Sequence, residues 1–199
     1  MRTLFGKVVD DVVRCQGLLE GKNVNLRIVE KEDLPLLAEW VNKPEVFGEF
    51  NPLRQASRAE MEKMRGDGRF EAGEFFIEKK DGGKVGYIWH FNVMHPAGKM
   101  LEIGYFLLPG ERGKGYCTEA VLIMLDYLFL SRDVMRVQAL IDVRNVASGR
   151  VLEKAGFKRE GTLRKVIFMR GNWRDAYLYS ILREEWKEPK ILTRTKAES

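Results

Sequence analysis

Apolar and polar positions alternate from Asn23 to Val29, the period of a half-buried strand. The spacing then changes. Leu34, Leu37, Ala38 and Val41 recur at three and four residues, which predicts a helix from Glu32-Asp33 to about Asn42. Pro35 falls in its first turn, where a missing N–H costs nothing. Ser57 and Glu60 form a capping-box pair and predict a second helix to Met64. Upstream, Leu4, Val8, Val9, Val12 and Val13 have the spacing of a short amphipathic helix, set apart as an extension.

Strand patterns dominate the middle. Glu74–Lys79 and Lys84–Val93 flank Asp81-Gly82-Gly83, a hairpin turn. Met100–Leu108 follows the turn His95-Pro96-Ala97-Gly98, and an apolar helical run spans Thr118–Leu130. Arg136–Val143 reads as a strand, and Val146–Ala155 as a helix closed by Gly156. Phe157–Gly161 is a short strand, and Leu163–Arg170 and Asp175–Arg183 pair around Gly171-Asn172. The order predicts an α/β fold: a mixed, largely antiparallel sheet of about seven strands with helices on both faces. Three segments result: an extension over 1–17, one domain over 18–188 and a tail over 189–199.

Composition narrows the class. A 199-residue chain with 45% hydrophobic and 32% charged residues has the makeup of an ordinary soluble globular domain. The net charge of +5 suits an anionic ligand, but no Lys/Arg block points to nucleic acid. No apolar run approaches the roughly 20 residues that span a bilayer. Cys15 and Cys117 stand alone, which predicts no disulfide framework and a reducing, cytoplasmic setting. His90 and His95 lack further ligands at metal spacing, so no metal is expected. His90, beside Trp89, fits packing or pocket lining.

The stretch from Glu111 to Ala120 carries the chemistry. It joins a strand to a helix through Arg112-Gly113-Lys114-Gly115. Such a turn leaves main-chain N–H groups pointing one way, and the helix N-terminus adds partial positive charge. Together they make a site for phosphate or diphosphate, with two glycines allowing close approach. It lacks the spacing of a Walker loop and the third glycine of a dinucleotide fingerprint.

These residues resemble the coenzyme A loop of the GCN5-related N-acetyltransferases, [Q/R]-x-x-G-x-[G/A]. The run Arg112-Gly113-Lys114-Gly115-Tyr116-Cys117 departs only at its last place, where Cys117 stands for Gly or Ala. Further motifs are similar to the branch that acetylates ribosomal protein N-termini: Trp40-Val41-Asn42-Lys43-Pro44, Glu102-Ile103-Gly104-Tyr105, Asn145-Val146-Ala147-Ser148, Leu152-Glu153-Lys154-Ala155-Gly156-Phe157 and Gly171-Asn172-Trp173-Arg174-Asp175. The resemblance covers roughly Leu19 to Lys187, in order.

It implies acetyl-CoA as co-substrate, with the diphosphate over the main chain of Gly113, Lys114, Gly115, Tyr116, Cys117 and Thr118. It also implies that Met100–Leu108 splays from Arg136–Val143. Pantetheine would enter there beside Phe106, Leu107 and Leu108, whose side chains also read as core. A main-chain N–H in that segment would polarise the thioester carbonyl. Asn145 would bond the cofactor arm, or simply cap its helix. Ser148 would assist the leaving thiolate, a task many relatives give to a tyrosine.

Attack by an amine needs a base. Glu102, in an otherwise apolar strand, is the first choice, with Asp142 and Glu160 behind it. The resemblance implies a primary amine as acceptor, on a protein N-terminus or a small molecule. Its pocket would draw on Glu32–Phe50, Glu71–Phe76 and the Leu163–Trp173 hairpin. The resemblance leaves room for a homodimer and implies neither membrane nor nucleic-acid partners. The rival reading is a CoA-binding regulatory module without turnover.

Overall fold

The computed structural model describes residues 18–53, 55–66, 73–95 and 98–191. The expected 1–17 helix, part of the turn after His95 and most of the tail lie outside them.

Among the described residues eight strands form one sheet, in the order β1-β2-β3-β4-β5-β6-β8-β7. They are β1 (Leu18–Glu20), β2 (Val24–Ile28), β3 (Gly73–Lys79), β4 (Lys84–His95), β5 (Gly98–Leu107), β6 (Arg136–Asp142), β7 (Lys158–Met169) and β8 (Asn172–Leu182). Every neighbouring pair is antiparallel except β5 and β6. The helices are α1 (Leu34–Asn42), α2 (Pro44–Phe47), α3 (Arg58–Gly66), α4 (Tyr116–Ser131) and α5 (Val146–Lys154). Short 3₁₀ turns precede α1 and the loop before α4.

Strand alternation divides the side chains between two cores. On one face Phe75, Ile88, Ile103, Val137 and Tyr179 pack under α4 and α5. On the other, Phe76, Tyr87 and Phe106 meet Leu37, Trp40 and Val41 of α1, Phe47 of α2 and Met61 of α3. The expected helices on both faces are therefore present. The Ser57–Glu60 capping box also forms: Glu60 N donates to Ser57 Oγ (3.2 Å), and Ser57 N donates to Glu60 Oε2 (2.8 Å).

Polar anchors fix α4. Asp126, fully buried, accepts from Trp186 Nε1 at 2.8 Å and from the main-chain N–H groups of Lys190 and Ile191. The packed chain thus runs to Ile191, past the expected boundary at 188. Arg183 donates to the carbonyls of Phe129, Arg132 and Val134, closing the end of α4. No helix among the described residues is long and apolar enough to cross a membrane.

Two details depart from the sequence reading. The three-residue β1 is too short to show a period. Phe157–Gly161 and Leu163–Arg170 belong to one strand, β7, whose pairing with β8 slips twice. Lys165, with φ of 50°, sits inside the second slip.

Candidate functional site

The break that makes the site lies between β5 and β6. These strands pair only at Leu101↔Val137 and Glu102↔Gln138. Beyond that point β5 continues to Leu107 and β6 to Asp142 without a shared ladder. Leu108 N donates to Val85 O at 2.9 Å, so Leu108 belongs to the ladder with β4. Antiparallel alternation then turns the Leu107 N–H the other way, toward the gap.

The chain leaves β5 through the 3₁₀ turn Pro109–Glu111 and reaches α4 through the glycine loop. Gly113 (φ 77°) and Gly115 (φ 85°) adopt left-handed backbone, which side chains resist. Gly115 is the N-cap of α4, and no side chain caps that end. Open space surrounds both positions where a Cβ would project. A long helix thus presents bare N–H groups and its positive end to an open surface. These features fit a diphosphate. Lys114 Nζ, however, pairs with Glu111 Oε2 at 2.8 Å, so part of its charge is already answered.

A cavity of about 670 Å³ runs from this loop into the gap. It brings together Phe106, Leu107, Arg112, Gly113, Cys117, Asn145 and Ser148. Lys114, Gly115, Tyr116 and Thr118 continue the same loop and first turn but are not part of the lining. Leu108 packs against the α1 side of the sheet. Burial pushes the Cys117 thiol up to about 12, so it stays protonated at neutral pH.

The opposite wall is the N-terminus of α5. Asn145 caps it, its Oδ1 accepting from Ser148 N at 3.1 Å. Capping uses the amide oxygen, while the same side chain borders the cavity. Ser148 Oγ lies 2.8 Å from the phenol of Tyr105, which also lines the cavity. Tyr105 escaped the sequence reading because it comes from β5, 43 residues before its partner.

The outer half is built by 44–51 and the β7–β8 hairpin. Glu45, Phe47, Glu49 and Phe50 line it, together with Arg170. Of the expected Glu71–Phe76 segment, the described residues 73–76 contribute no lining residue. Asp142, its side chain fully buried, accepts from Arg144 (3.0 Å) and Arg174 (3.5 Å). The Arg144 guanidinium in turn sits 5.5 Å from the centre of the Phe50 ring. Glu160 is bound by Ser180 and Arg136, which lower its pKa. Neither Asp142 nor Glu160 lines the cavity.

Glu102 is half-buried and also outside the lining. Burial raises its pKa, against the lowering effect of Gln138 Nε2, which donates to Oε2 at 2.9 Å. It shares a sheet face with Phe106, but Trp89 lies across Gly104 between them: a Cβ at Gly104 would fall 2.2 Å from that ring. His90 does not line the cavity. It is buried in the α4-side core near Tyr127, with no hydrogen-bond partner on either ring nitrogen among the described residues.

Comparison with known proteins follows the same lines. Residues 23–158 match the model of the acetyltransferase (GNAT) domain. A probable N-acetyltransferase of Bacillus subtilis, YjcK, is 32% identical over 180 residues, covering 83% of this chain and 97% of its own. The structure of Mycobacterium smegmatis RimJ in complex with CoA-disulfide superposes with a TM-score of 0.72 at 27% identity, covering 87% of this chain and 88% of that one. Spermidine N-acetyltransferase from Vibrio cholerae, in complex with CoA and spermine, shares the fold (TM-score 0.74, 20% identity, 83% and 99% covered).

Proposed function

Because this chain belongs to the GNAT acetyltransferase family, we propose that it transfers an acetyl group from acetyl-CoA to a primary amine by direct attack in a ternary complex. One observation carries the reading. An uncapped helix N-terminus, a gap between parallel strands and a hydroxyl pair meet on a single cavity.

Each wall then has a task. The N–H groups of residues 113–118 and the Arg112 guanidinium bind the diphosphate. The gap beside Phe106 and Leu107 takes the pantetheine arm, with the Asn145 amide N–H groups as donors along it. Acetyl-CoA supplies an activated acetyl thioester when bound. The Leu107 N–H, turned toward the gap, is placed to stabilise charge growing on the thioester oxygen. Ser148 donates to the departing sulfur.

The acceptor enters from the outer half. Glu45 and Glu49 attract an ammonium group there, and Phe47 and Phe50 cover its carbon chain. Both a protein α-amine and a small amine fit that description. Glu102 serves as base through water, since Trp89 blocks the direct path. Its raised pKa favours that role at neutral pH.

The test is release of free thiol from acetyl-CoA with a panel of peptides and small amines. Amine-dependent release supports acetyl transfer. CoA binding without release by any amine would leave a regulatory CoA-binding module instead.

A further inference from the structure

We infer that Tyr105 is a positioning residue for sulfur departure, acting through Ser148; this rests on the acetyl-transfer reading above. Tyr105 belongs to the stretch of β5 beyond the last pairing with β6. Its side chain packs against the α4-side core and reaches α5 across the gap. There its hydroxyl meets Ser148 Oγ at 2.8 Å and, at a longer 3.3 Å, the Ser148 main-chain oxygen.

The direction of that bond decides what Ser148 can do. A phenol has one proton, and burial pushes this one's pKa well above its ordinary range. It therefore stays protonated and can donate throughout the neutral range. We assign the phenol proton to Ser148 Oγ, the shorter of its two contacts, which satisfies the serine as acceptor and leaves its own proton free for the cavity. Donation into the oxygen also polarises the serine O–H and strengthens it as a donor. Asn145 fixes the same residue from behind through Ser148 N. The Tyr105 bond thus orients the hydroxyl, and the Asn145 cap holds the main chain that carries it.

The step it serves is simple to balance. The amine forms the C–N bond, the C–S bond breaks, and its electron pair leaves on sulfur. The amine proton goes to the base. Ser148 donates a hydrogen bond to the thiolate, and no proton leaves Tyr105.

A purely structural tyrosine would be replaced by phenylalanine without effect, because the ring keeps its packing. Tyr105→Phe is expected to lower kcat about tenfold, the value of one well-placed hydrogen bond, with acceptor KM unchanged. In a Ser148→Ala background the same change is expected to add nothing, because the route through Ser148 is already gone. A second readout needs no acceptor. The thiol of bound CoA, titrated by thiolate absorbance, is expected to ionise about one unit lower in the wild type than in Tyr105→Phe. Equal thiol pKa values, unchanged kcat, or a loss that adds in full to Ser148→Ala would each overturn the inference. A wild-type protein that binds no CoA would instead remove the acetyl-transfer reading, and this inference with it. Circular dichroism of each variant separates these outcomes from misfolding.

Discussion

Arg170 Nη2 donates to the main-chain oxygen of Gly48 across 3.0 Å, joining segments 122 residues apart. Both ends sit in left-handed backbone, Arg170 at φ 50° and Gly48 at φ 88°. The bond ties the β7–β8 hairpin to the acidic loop at the outer half of the cavity, where the acceptor is proposed to enter. Arg170→Ala is therefore expected to raise acceptor KM roughly three- to tenfold, from loss of one charge-assisted bond. CoA affinity should fall less than acceptor affinity, because Arg170 bonds the Gly48 carbonyl and makes no bond to the glycine loop among the described residues. Steady-state kinetics varying each substrate in turn would show it; an unchanged acceptor KM would detach the hairpin from acceptor binding.

Gly115, the N-cap of α4, lies at the centre of the proposed anion site. A valine there has no neighbour to strike, so its effect comes from two other sources. Its φ of 85° opposes a β-branched side chain, and its Cβ projects into the open space proposed for the diphosphate. Gly115→Val should weaken CoA binding on the order of 100-fold in a folded protein, with Gly115→Ala intermediate. Calorimetry gives both values directly. Native affinity in Gly115→Val would place the diphosphate elsewhere.

The uneven legibility of the site follows from sequence distance. The glycine loop could be read because strand, turn and helix are consecutive, and left-handed Gly113 and Gly115 answer a local need. The Ser57–Glu60 cap and the Asn145 cap are equally local. Tyr105 with Ser148 and Arg170 with Gly48 are not: each pair depends on how far β5 and β6 diverge and where the last hairpin ends. Nothing in the alternation of β5 distinguishes Tyr105 from its core neighbours Ile103 and Leu107. Lys114 shows the converse. In sequence it is one more cation in the loop, yet Glu111, three residues earlier, pairs with it and answers part of its charge.

Glu102 tests the proton path on the amine side. It accepts from Gln138 and lies on the Phe106 face of the sheet, the side of the proposed acceptor loop. Glu102→Gln should retain fold and CoA binding while turnover at pH 7 falls about 10²–10⁴-fold. Activity should return in part at high pH, where more of the amine is already neutral. Wild-type turnover at pH 7 would exclude Glu102 as the base and move the search to Glu49, which borders the cavity itself.

His90 sets a stability limit unrelated to catalysis. Burial lowers its pKa to about 4, helped by nearby Arg132, against about 6.5 when exposed. Its neutral form is the one the core accepts, so the unfolded chain binds the extra proton. Stability is full above pH 6.5 and declines as pH falls toward 4, by up to about 3 kcal/mol from this group. His90→Phe should flatten that window in urea unfolding and leave no unpaired ring nitrogen behind. An identical loss in both proteins between pH 6.5 and 4 would assign the effect to other groups.

Acetyl transfer itself is tested most directly by following both products of one reaction. Acetyl-CoA and a panel of N-terminal peptides and small amines are incubated with the protein. Free thiol is counted while mass spectrometry reads the acceptor. At least one amine is expected to become heavier by a single acetyl group, mole for mole with the thiol released, with far less of both products from the Gly115→Val variant at the same limiting acetyl-CoA concentration. Thiol release without an acetylated amine, or equal yields from both proteins, would contradict the proposed transfer.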